Sequence, residues 1–209
     1  MVFQVPGDPH PWPRRPAPPE TGAVIVVDMQ HDYCSPGFYI HQAGYDPARL
    51  SAPIEPVQRV LAAARRRGLA VVYTQHSRRP EAAPDPDFPA TAAVGEPGWE
   101  IVPALTPQPG DRVIAKSTIN AFVSGELDRY LRSRGIRHLA FCGNTIDVCV
   151  HSSLRAAVDL DYECVLLADG CGAVNAGLHA WALESVKVEA GVFGTVATSA
   201  AFTAALAAG

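Results

Sequence analysis

The sequence predicts an α/β protein, a three-layer αβα sandwich around a mainly parallel sheet of about six strands. Two observations lead to this prediction. Strand-length apolar runs alternate with segments of helical periodicity, and no hairpin dipeptide such as Asn-Gly joins one run to the next. The run at 23–27 is continuously apolar, which is typical of a central parallel strand covered on both faces. Right-handed crossovers then place helices on both sides of the sheet.

The predicted strands are short apolar runs that lie between turn signals. They cover residues 23–27, 69–74, 112–116, 139–142, 162–167 and 192–196. The first run ends at Asp28 and the third ends on Lys116, so each delivers a charged side chain to the carboxyl end of a strand. Gly143 opens a tight turn after the fourth run, directly before a helical segment.

The predicted helices have an apolar stripe on one side and a stop signal where they end. They cover residues 53–67, 126–134, a segment that begins near residue 149, 178–188 and 199–206. Gly68 and Gly135 end the first two helices.

The segment 36–47 is predicted as a loop whose aromatic residues either wall a pocket or pack at its rim. The proline-rich segment 75–99 is predicted as a long irregular excursion, which is often functional inside a compact domain.

Length and composition restrict the class of protein. The chain has 209 residues, of which 48% are hydrophobic and 18% charged, so we expect one domain with a substantial core. The net charge is −4 without a basic stripe, and the apolar runs have only strand length. We therefore expect no nucleic-acid partner and no membrane span. The five cysteines lack zinc-ligand spacing, and we see no signal peptide, so we expect reduced thiols in the cytoplasm.

Seven prolines fall within the first 20 residues. This composition predicts an extended N-terminal arm, residues 1–20, that lies over the surface of a single domain formed by residues 21–209. The aromatic side chain of Trp12 among the prolines indicates that the arm docks onto that domain.

Asp28, Lys116 and Cys149 follow three different strands of the predicted sheet. Because the carboxyl ends of parallel strands share one edge, we expect a carboxylate, an ammonium and a thiol in one crevice. Each residue also has an ordinary structural explanation: Asp28 as a cap, Lys116 as a solvent-reaching side chain, and Cys149 as packing at a strand–helix junction. Asp32 serves equally well as the cap, which leaves Asp28 free for chemistry.

Cys149 lies at or near the first turn of the predicted helix, where backbone N–H groups are unpaired. That position is expected to lower the pKa of the thiol and to favour the nucleophilic thiolate. The same N–H groups are suited to hold an oxyanion. His76 has no second histidine or cysteine at ligand spacing, so no metal and no cofactor are expected.

Three motifs resemble the isochorismatase-like cysteine hydrolases: Val24-Ile-Val-Val-Asp-Met-Gln30, Ala115-Lys116, and Gly143-Asn-Thr-Ile-Asp-Val-Cys-Val-His-Ser-Ser153. The similarity extends from about Ala23 over nearly the whole chain and implies a Rossmann-like fold. It also implies an Asp28–Lys116–Cys149 triad, a cis peptide bond between Asn144 and Thr145, and an oxyanion hole formed by the backbone N–H groups of Thr145 and Cys149.

Within that family the chain is most similar to biuret hydrolases and other ureido or carbamoyl amidohydrolases, through segments such as 95–99 and 191–194. Two positions depart from the biuret hydrolase pattern. Ile119 replaces a second lysine, and Glu189 replaces a glutamine. Both changes make the pocket more negative and favour an amide that carries a cationic group, although Glu189 also fits a surface acid at a helix end. Cys149 argues against the vinyl ether cleavage of isochorismatases proper.

The predicted function is cysteine-dependent hydrolysis of a C–N amide bond in a small ureido compound, through a thioester and with release of ammonia or an amine. The alternatives are an amidase for another, cationic amide and a thiol redox sensor in which Cys142 resolves an oxidised Cys149. The resemblance further implies a homo-oligomer, a dimer or tetramer. The residues predicted to contact the substrate are Tyr33, Phe38, Asn120, Phe122 and Glu189.

Overall fold

The computed structural model describes residues 2–79 and 89–208. The strands are β1 Phe3–Val5, β2 Trp12–Ala17, β3 Gly22–Val27, β4 Ala70–His76, β5 Arg112–Lys116, β6 His138–Gly143, β7 Glu163–Cys171 and β8 Thr195–Ala197. The helices are α1 His31–Cys34, α2 Tyr39–Gln42, α3 Ala48–Ser51, α4 Ile54–Arg67, α5 Glu126–Ser133, α6 His151–Asp159, α7 Ala176–Gly191 and α8 Ser199–Ala208, and a π-helical turn, Ile146–Val150, directly precedes α6.

The main sheet contains six strands in the order β5-β4-β3-β6-β7-β8, and every neighbouring pair is parallel. Every residue of β3 is buried, as its continuous apolar sequence predicts. Helix α4 packs against α8 and against the sheet. The predicted fold class, α/β with a mainly parallel six-stranded sheet, is confirmed.

The strand order reverses between β3 and β6. From β3 the chain builds outward through β4 to β5, and from β6 it builds in the other direction through β7 to β8. In open α/β sheets, ligands bind in the crevice at the carboxyl ends of the strands where this reversal occurs. Asp28 directly follows β3, and Cys149 follows β6 by a single turn.

The first 20 residues form a small antiparallel sheet of β1 and β2, which the sequence analysis did not predict. Trp12 is fully buried, with its ring 5.4 Å from that of Phe3 and 6.1 Å from that of Phe202 between centroids. Its Nε1 donates to the carbonyl oxygen of Glu163 at 2.9 Å. Trp12 therefore docks the N-terminal segment onto the rest of the protein, as expected, and its ring is part of the core. The division into an arm and one domain at residue 20 stays a prediction.

Replacing Trp12 with phenylalanine is expected to lower the free energy of unfolding by about 2–4 kcal/mol. The change removes buried ring volume and leaves the Glu163 carbonyl without its buried donor. Urea denaturation measures the effect. The control is Tyr45→Phe, because Tyr45 is 46% exposed and its change is expected to cost no more than about 0.5 kcal/mol. Equal costs for the two variants would contradict the burial argument.

Several elements differ from their predicted bounds. Strands β4 and β7 continue beyond residues 74 and 167, and the segment around the predicted loop at 36–47 contains the short helices α1, α2 and α3. These helices form because Ile40 and Leu50 are buried against the core. Within the predicted excursion at 75–99, residues 97–99 form a 3-10 turn and residues 80–88 lie outside the described residues. The last strand, predicted at 192–196, begins later in the structure, where it is β8 at Thr195–Ala197.

Candidate active site

The structure brings Asp28, Lys116 and Cys149 together. The Nζ of Lys116 lies 2.6 Å from Oδ2 of Asp28 and 3.5 Å from Sγ of Cys149. All three side chains are buried. The group lies at the carboxyl edge of the sheet, beside the reversal of strand order, where the sequence analysis placed it.

Two strands of the sheet position the acid and the amine of this group. Asp28 has a φ of 49°, a left-handed conformation that aspartate tolerates better than most residues. Its backbone N–H donates to the carbonyl oxygen of Thr74 at 3.2 Å. Lys116 ends β5, two strands away, and its side chain passes β4 to reach Asp28. Its Nζ also donates to the carbonyl oxygen of Thr118 at 3.0 Å, so the buried ammonium has three polar neighbours.

Cys149 lies in the π-helical turn rather than in the first turn of an α-helix. The N–H of Val150 donates to the carbonyl oxygen of Thr145 at 3.2 Å, five residues back. Turns of this type are frequent at functional sites. Within this turn Val148 is 39% exposed, whereas Cys149 and Val150 are buried. The hydroxyl of Ser153 donates to the Cys149 carbonyl oxygen at 2.7 Å and fixes the start of α6.

The turn before Cys149 is held from both sides. The peptide bond between Asn144 and Thr145 is cis. The buried Asn144 donates from its backbone N–H to the Val27 carbonyl oxygen at 2.8 Å, and from Nδ2 to the Leu50 carbonyl oxygen at 2.9 Å. A Cβ at Gly143 would lie 2.1 Å from that same Val27 oxygen, so only glycine fits there. The sequence analysis predicted the turn but not the anchoring role of the Asn144 side chain.

Burial dominates the electrostatics of the thiol. It raises the pKa of Cys149, and the charge of Asp28 raises it further, whereas Lys116 acts in the opposite direction. The expected lowering of this pKa by a helix N-terminus is therefore wrong. For Lys116, burial lowers the pKa, but Asp28 and Cys149 together outweigh burial and the net direction is upward. The resting site is a carboxylate–ammonium pair beside a protonated thiol, so the thiol needs a base in order to react.

Of the predicted substrate contacts, Tyr33 lies close to Asp28 and Cys149. Burial raises the pKa of Tyr33 well above its ordinary value, and the charges of Asp28 and Cys149 raise it further. Its ring meets that of Tyr39 edge-on, with centroids 6.0 Å apart. Phe38 instead stacks on His31 at 5.4 Å.

The other predicted contacts have structural partners of their own. The side-chain oxygen of Asn120 accepts the backbone N–H of Phe122 at 2.8 Å, and the Phe122 ring packs on that of Tyr162 at 5.9 Å. Glu189 is exposed and has a φ of 50°, just where α7 departs from helical geometry. Ile119 is exposed as well. Substrate contact by Asn120, Phe122 or Glu189 stays a prediction.

The side chain of Gln30 holds the end of β4 and the segment at Trp99 in place, a role that the sequence analysis did not predict. Its Nε2 donates to the carbonyl oxygens of His76 at 2.9 Å and Trp99 at 2.8 Å, while its Oε1 accepts the His76 N–H at 2.7 Å. A glutamine two residues after Asp28, in an otherwise apolar motif, was the available signal.

Burial and the Lys116 charge lower the pKa of His76, so its ring is neutral. Within residues 2–79 and 89–208, no group of three or more His, Cys, Asp or Glu side chains is arranged to hold a metal ion.

The fold and the buried Asp28–Lys116–Cys149 group define a cysteine hydrolase with an α/β fold. The family model described as the isochorismatase domain matches residues 22–201. The chain belongs to the isochorismatase family. This membership confirms the family that the sequence motifs resembled.

Curated relatives and solved structures agree with this assignment. Ureidoacrylate amidohydrolase RutB of Azorhizobium caulinodans is 35% identical over 75% of this chain and 80% of the relative. A RutB of Methylorubrum extorquens is 34% identical over 93% of this chain and 88% of the relative. These relatives confirm the predicted class of enzyme, a hydrolase of carbon–nitrogen bonds other than peptide bonds.

Among solved structures, the chain is similar to a cysteine hydrolase from Pseudomonas syringae pv. phaseolicola, with a TM-score of 0.81 and 27% identity over 93% of this chain and 96% of that one. It is also similar to N-carbamoylsarcosine amidase from Thermoplasma acidophilum, with a TM-score of 0.69 and 26% identity over 86% of this chain and 96% of that one.

Proposed function

We propose that this protein is a cysteine-dependent amidohydrolase that cleaves a C–N amide bond of a small ureido or carbamoyl compound. The observation that carries the proposal is the ammonium of Lys116, which contacts both the Asp28 carboxylate and the Cys149 thiol at the reversal of strand order. The relatives named for ureidoacrylate and N-carbamoylsarcosine support the substrate class. Biuret and related ureides belong to the same class.

In the proposed mechanism, Asp28 accepts the proton of Cys149 while Lys116 stabilises the thiolate. The thiolate attacks the carbonyl carbon of the substrate and forms a tetrahedral intermediate. The backbone N–H groups of Thr145 and Cys149 donate to its oxyanion, and each such donor is worth about 2.7–4 kcal/mol. Asp28 then returns the proton to the departing ammonia or amine, which leaves a thioester. Asp28 next activates the water that hydrolyses the thioester.

Tyr33 is proposed to contact the substrate directly. Its raised pKa keeps the phenol protonated at neutral pH, so the hydroxyl can donate to a carbonyl oxygen of the substrate. Phe38, Asn120, Phe122 and Glu189 are proposed as residues of the surrounding pocket. The preference for a cationic amide rests on Ile119 and Glu189, and a set of substrates that includes such amides tests it.

The redox-sensor alternative receives no support. Cys142 is fully buried, its thiol donates to the Ile25 carbonyl oxygen at 3.7 Å, and burial raises its pKa to about 12. A resolving cysteine needs thiolate character and access to its partner. Cys142 has neither property.

We also propose that the chain forms a homo-oligomer in the cytoplasm. Large apolar side chains are exposed on the π-helical turn, on α7 and directly after α7, namely Val148, Trp181, Val188 and Val192. The π-helical turn packs against α7, so these side chains lie on neighbouring elements, and a contiguous apolar surface of this kind favours association. All five cysteines are free thiols, which fits a reducing compartment. In the part of the chain that the structure describes, every helix is too short or too polar to cross a membrane.

Ammonia release tests the proposed reaction. We expect release from at least one of ureidoacrylate, N-carbamoyl amino acids and biuret, with Cys149→Ala as the inactive blank. Nicotinamide and amides that carry a guanidine or an amine complete the set. If only the cationic amides react, the ureido class is wrong and the negative residue Glu189 becomes the specificity residue, to be checked by Glu189→Gln. The absence of release from the whole set would contradict the proposed substrate class.

A further inference from the structure

We propose that Thr74 is a positioning residue that determines which oxygen of Asp28 accepts the thiol proton. The proposal rests on the proposed function, in which Asp28 is the base. Thr74 is a buried residue of β4, next to β3. Its hydroxyl donates to Oδ1 of Asp28 at 2.6 Å, whereas the Nζ of Lys116 approaches Oδ2, also at 2.6 Å. The two carboxylate oxygens therefore have different partners.

Oδ2 is the oxygen left available for the proton. A carboxylate has no proton to give, so the hydroxyl of Thr74 is the donor to Oδ1 and occupies that side of the group. Oδ2 is buried and lies 2.6 Å from the Lys116 ammonium. The Cys149 thiol touches the same ammonium. Oδ2 is therefore the oxygen on the thiol's side of the carboxylate, and one of its lone pairs accepts the proton when the S–H bond of Cys149 breaks.

Thr74 also holds the backbone of Asp28. The Asp28 N–H approaches both the carbonyl oxygen of Thr74, at 3.2 Å, and its Oγ1, at 3.3 Å. The left-handed φ of 49° at Asp28 is sparsely populated for residues with a side chain, and such conformations persist where the surroundings hold them. Threonine suits this position because its β-branched side chain favours a strand while its hydroxyl supplies the donor. Valine would preserve the shape and lose the donor, and serine would preserve the donor.

The hydrogen bond from Thr74 fixes the rotation of the Asp28 carboxylate, because it holds Oδ1 on the side of β4. In the proposed cycle, Oδ2 takes the proton of Cys149 and later gives it to the departing nitrogen. Without the Thr74 hydroxyl, the carboxylate would rotate more freely, and Oδ2 would face the thiol in a smaller fraction of molecules.

The test measures how fast iodoacetamide alkylates Cys149 as a function of pH, with the Cys149 peptide quantified by mass spectrometry. The variants are Thr74→Val and Thr74→Ser. Thr195→Val is the matched control, because Thr195 is a fully buried threonine of β8 whose hydroxyl donates to the His10 carbonyl oxygen at 2.9 Å. We expect alkylation of Cys149 in Thr74→Val to be about tenfold slower than in the wild type at every pH of the profile, because Oδ2 faces the thiol less often. Thr74→Ser and Thr195→Val are expected to follow the wild type.

The alkylation experiment tests the role of Thr74 without depending on hydrolysis. Equal alkylation rates for Thr74→Val and wild type would overturn the proposal, as would an equal loss of rate in Thr195→Val. If Thr74→Val fails to fold by circular dichroism, Thr74→Ala also lacks the donor and is expected to show the same loss of rate. Ammonia release by the wild type is measured in parallel, so a silent enzyme would refute the proposed function while alkylation still decides the role of Thr74.

Discussion

Replacing Cys149 with alanine is expected to lower kcat by a factor of at least about 10³, down to the level of the uncatalysed blank. The thiol is the nucleophile in the proposed mechanism, and no other thiol is in contact with the Lys116 ammonium among the described residues. The change removes one buried sulfur atom, so the free energy of unfolding is expected to fall by only about 1–2 kcal/mol. Steady-state ammonia release and urea denaturation, measured on the same preparation, separate the two effects.

A second variant, Cys149→Ser, tests whether Cys149 is the nucleophile while leaving the size of the side chain nearly unchanged. Serine preserves the size of the residue, but its hydroxyl is a far weaker acid than a thiol, so a carboxylate base cannot activate it to the same extent. We expect less than about one hundredth of wild-type kcat. The matched control is Cys164→Ala, a buried cysteine of β7, which is expected to lose stability to a similar extent while its kcat stays near wild type. Substantial turnover by Cys149→Ser, or an equal loss in Cys164→Ala, would remove Cys149 from the role of nucleophile.

The sequence was sufficient to predict that Asp28, Lys116 and Cys149 lie together, because their positions follow from the sheet. Asp28 comes directly after one apolar run, and Lys116 is the last residue of another. Parallel strands bring their carboxyl ends to one edge of the sheet. Hydrophobic periodicity also indicated α4, which ends at Gly68 in the left-handed conformation as predicted. These features depend on local pattern and on general rules of chain connection.

The features that the sequence did not predict depend on contacts between distant residues. The pairing of β1 with β2 is driven by Trp12, whose partner Phe202 lies in the last helix. Periodicity cannot distinguish a π-helical turn from an α-helical one, so the sequence indicated the first turn of an ordinary helix at Cys149. The raised pKa of Cys149 results from burial by several elements, which a helix-terminus argument does not include. The support from Gln30 likewise needs two strands and a loop in their final positions.

Lys116→Met is expected to abolish activity and also to lower the free energy of unfolding by about 3–5 kcal/mol, because it leaves the buried carboxylate of Asp28 without its cation. Methionine retains most of the side-chain length, so the loss reports charge more than volume. The control is Lys187→Met, since Lys187 pairs with Asp8 and Glu184 at the surface and its loss is expected to cost no more than about 0.5 kcal/mol.

The double variant Asp28→Asn with Lys116→Met separates stability from catalysis. It removes both charges, so no buried ion is left unpaired, and its unfolding free energy is expected to recover most of the loss seen in Lys116→Met. Activity is expected to stay absent, because the base is gone. A double variant as unstable as Lys116→Met would show that the cost comes from lost packing, and a return of turnover would exclude Asp28 as the base.

The pH dependence of stability provides an independent check on the same pair. The folded-state pKa of Lys116 is raised above its ordinary value, so the ammonium binds its proton more tightly in the folded protein. The resulting stabilisation is fully present below the pKa of an unfolded lysine, about 10.4, and is lost as the pH rises through the higher folded value. The difference in unfolding free energy between wild type and Lys116→Met is therefore expected to be constant from about pH 7 to about 10 and to shrink above it. A difference that stays constant well above about pH 11 would mean that the Lys116 charge does not carry the stabilisation.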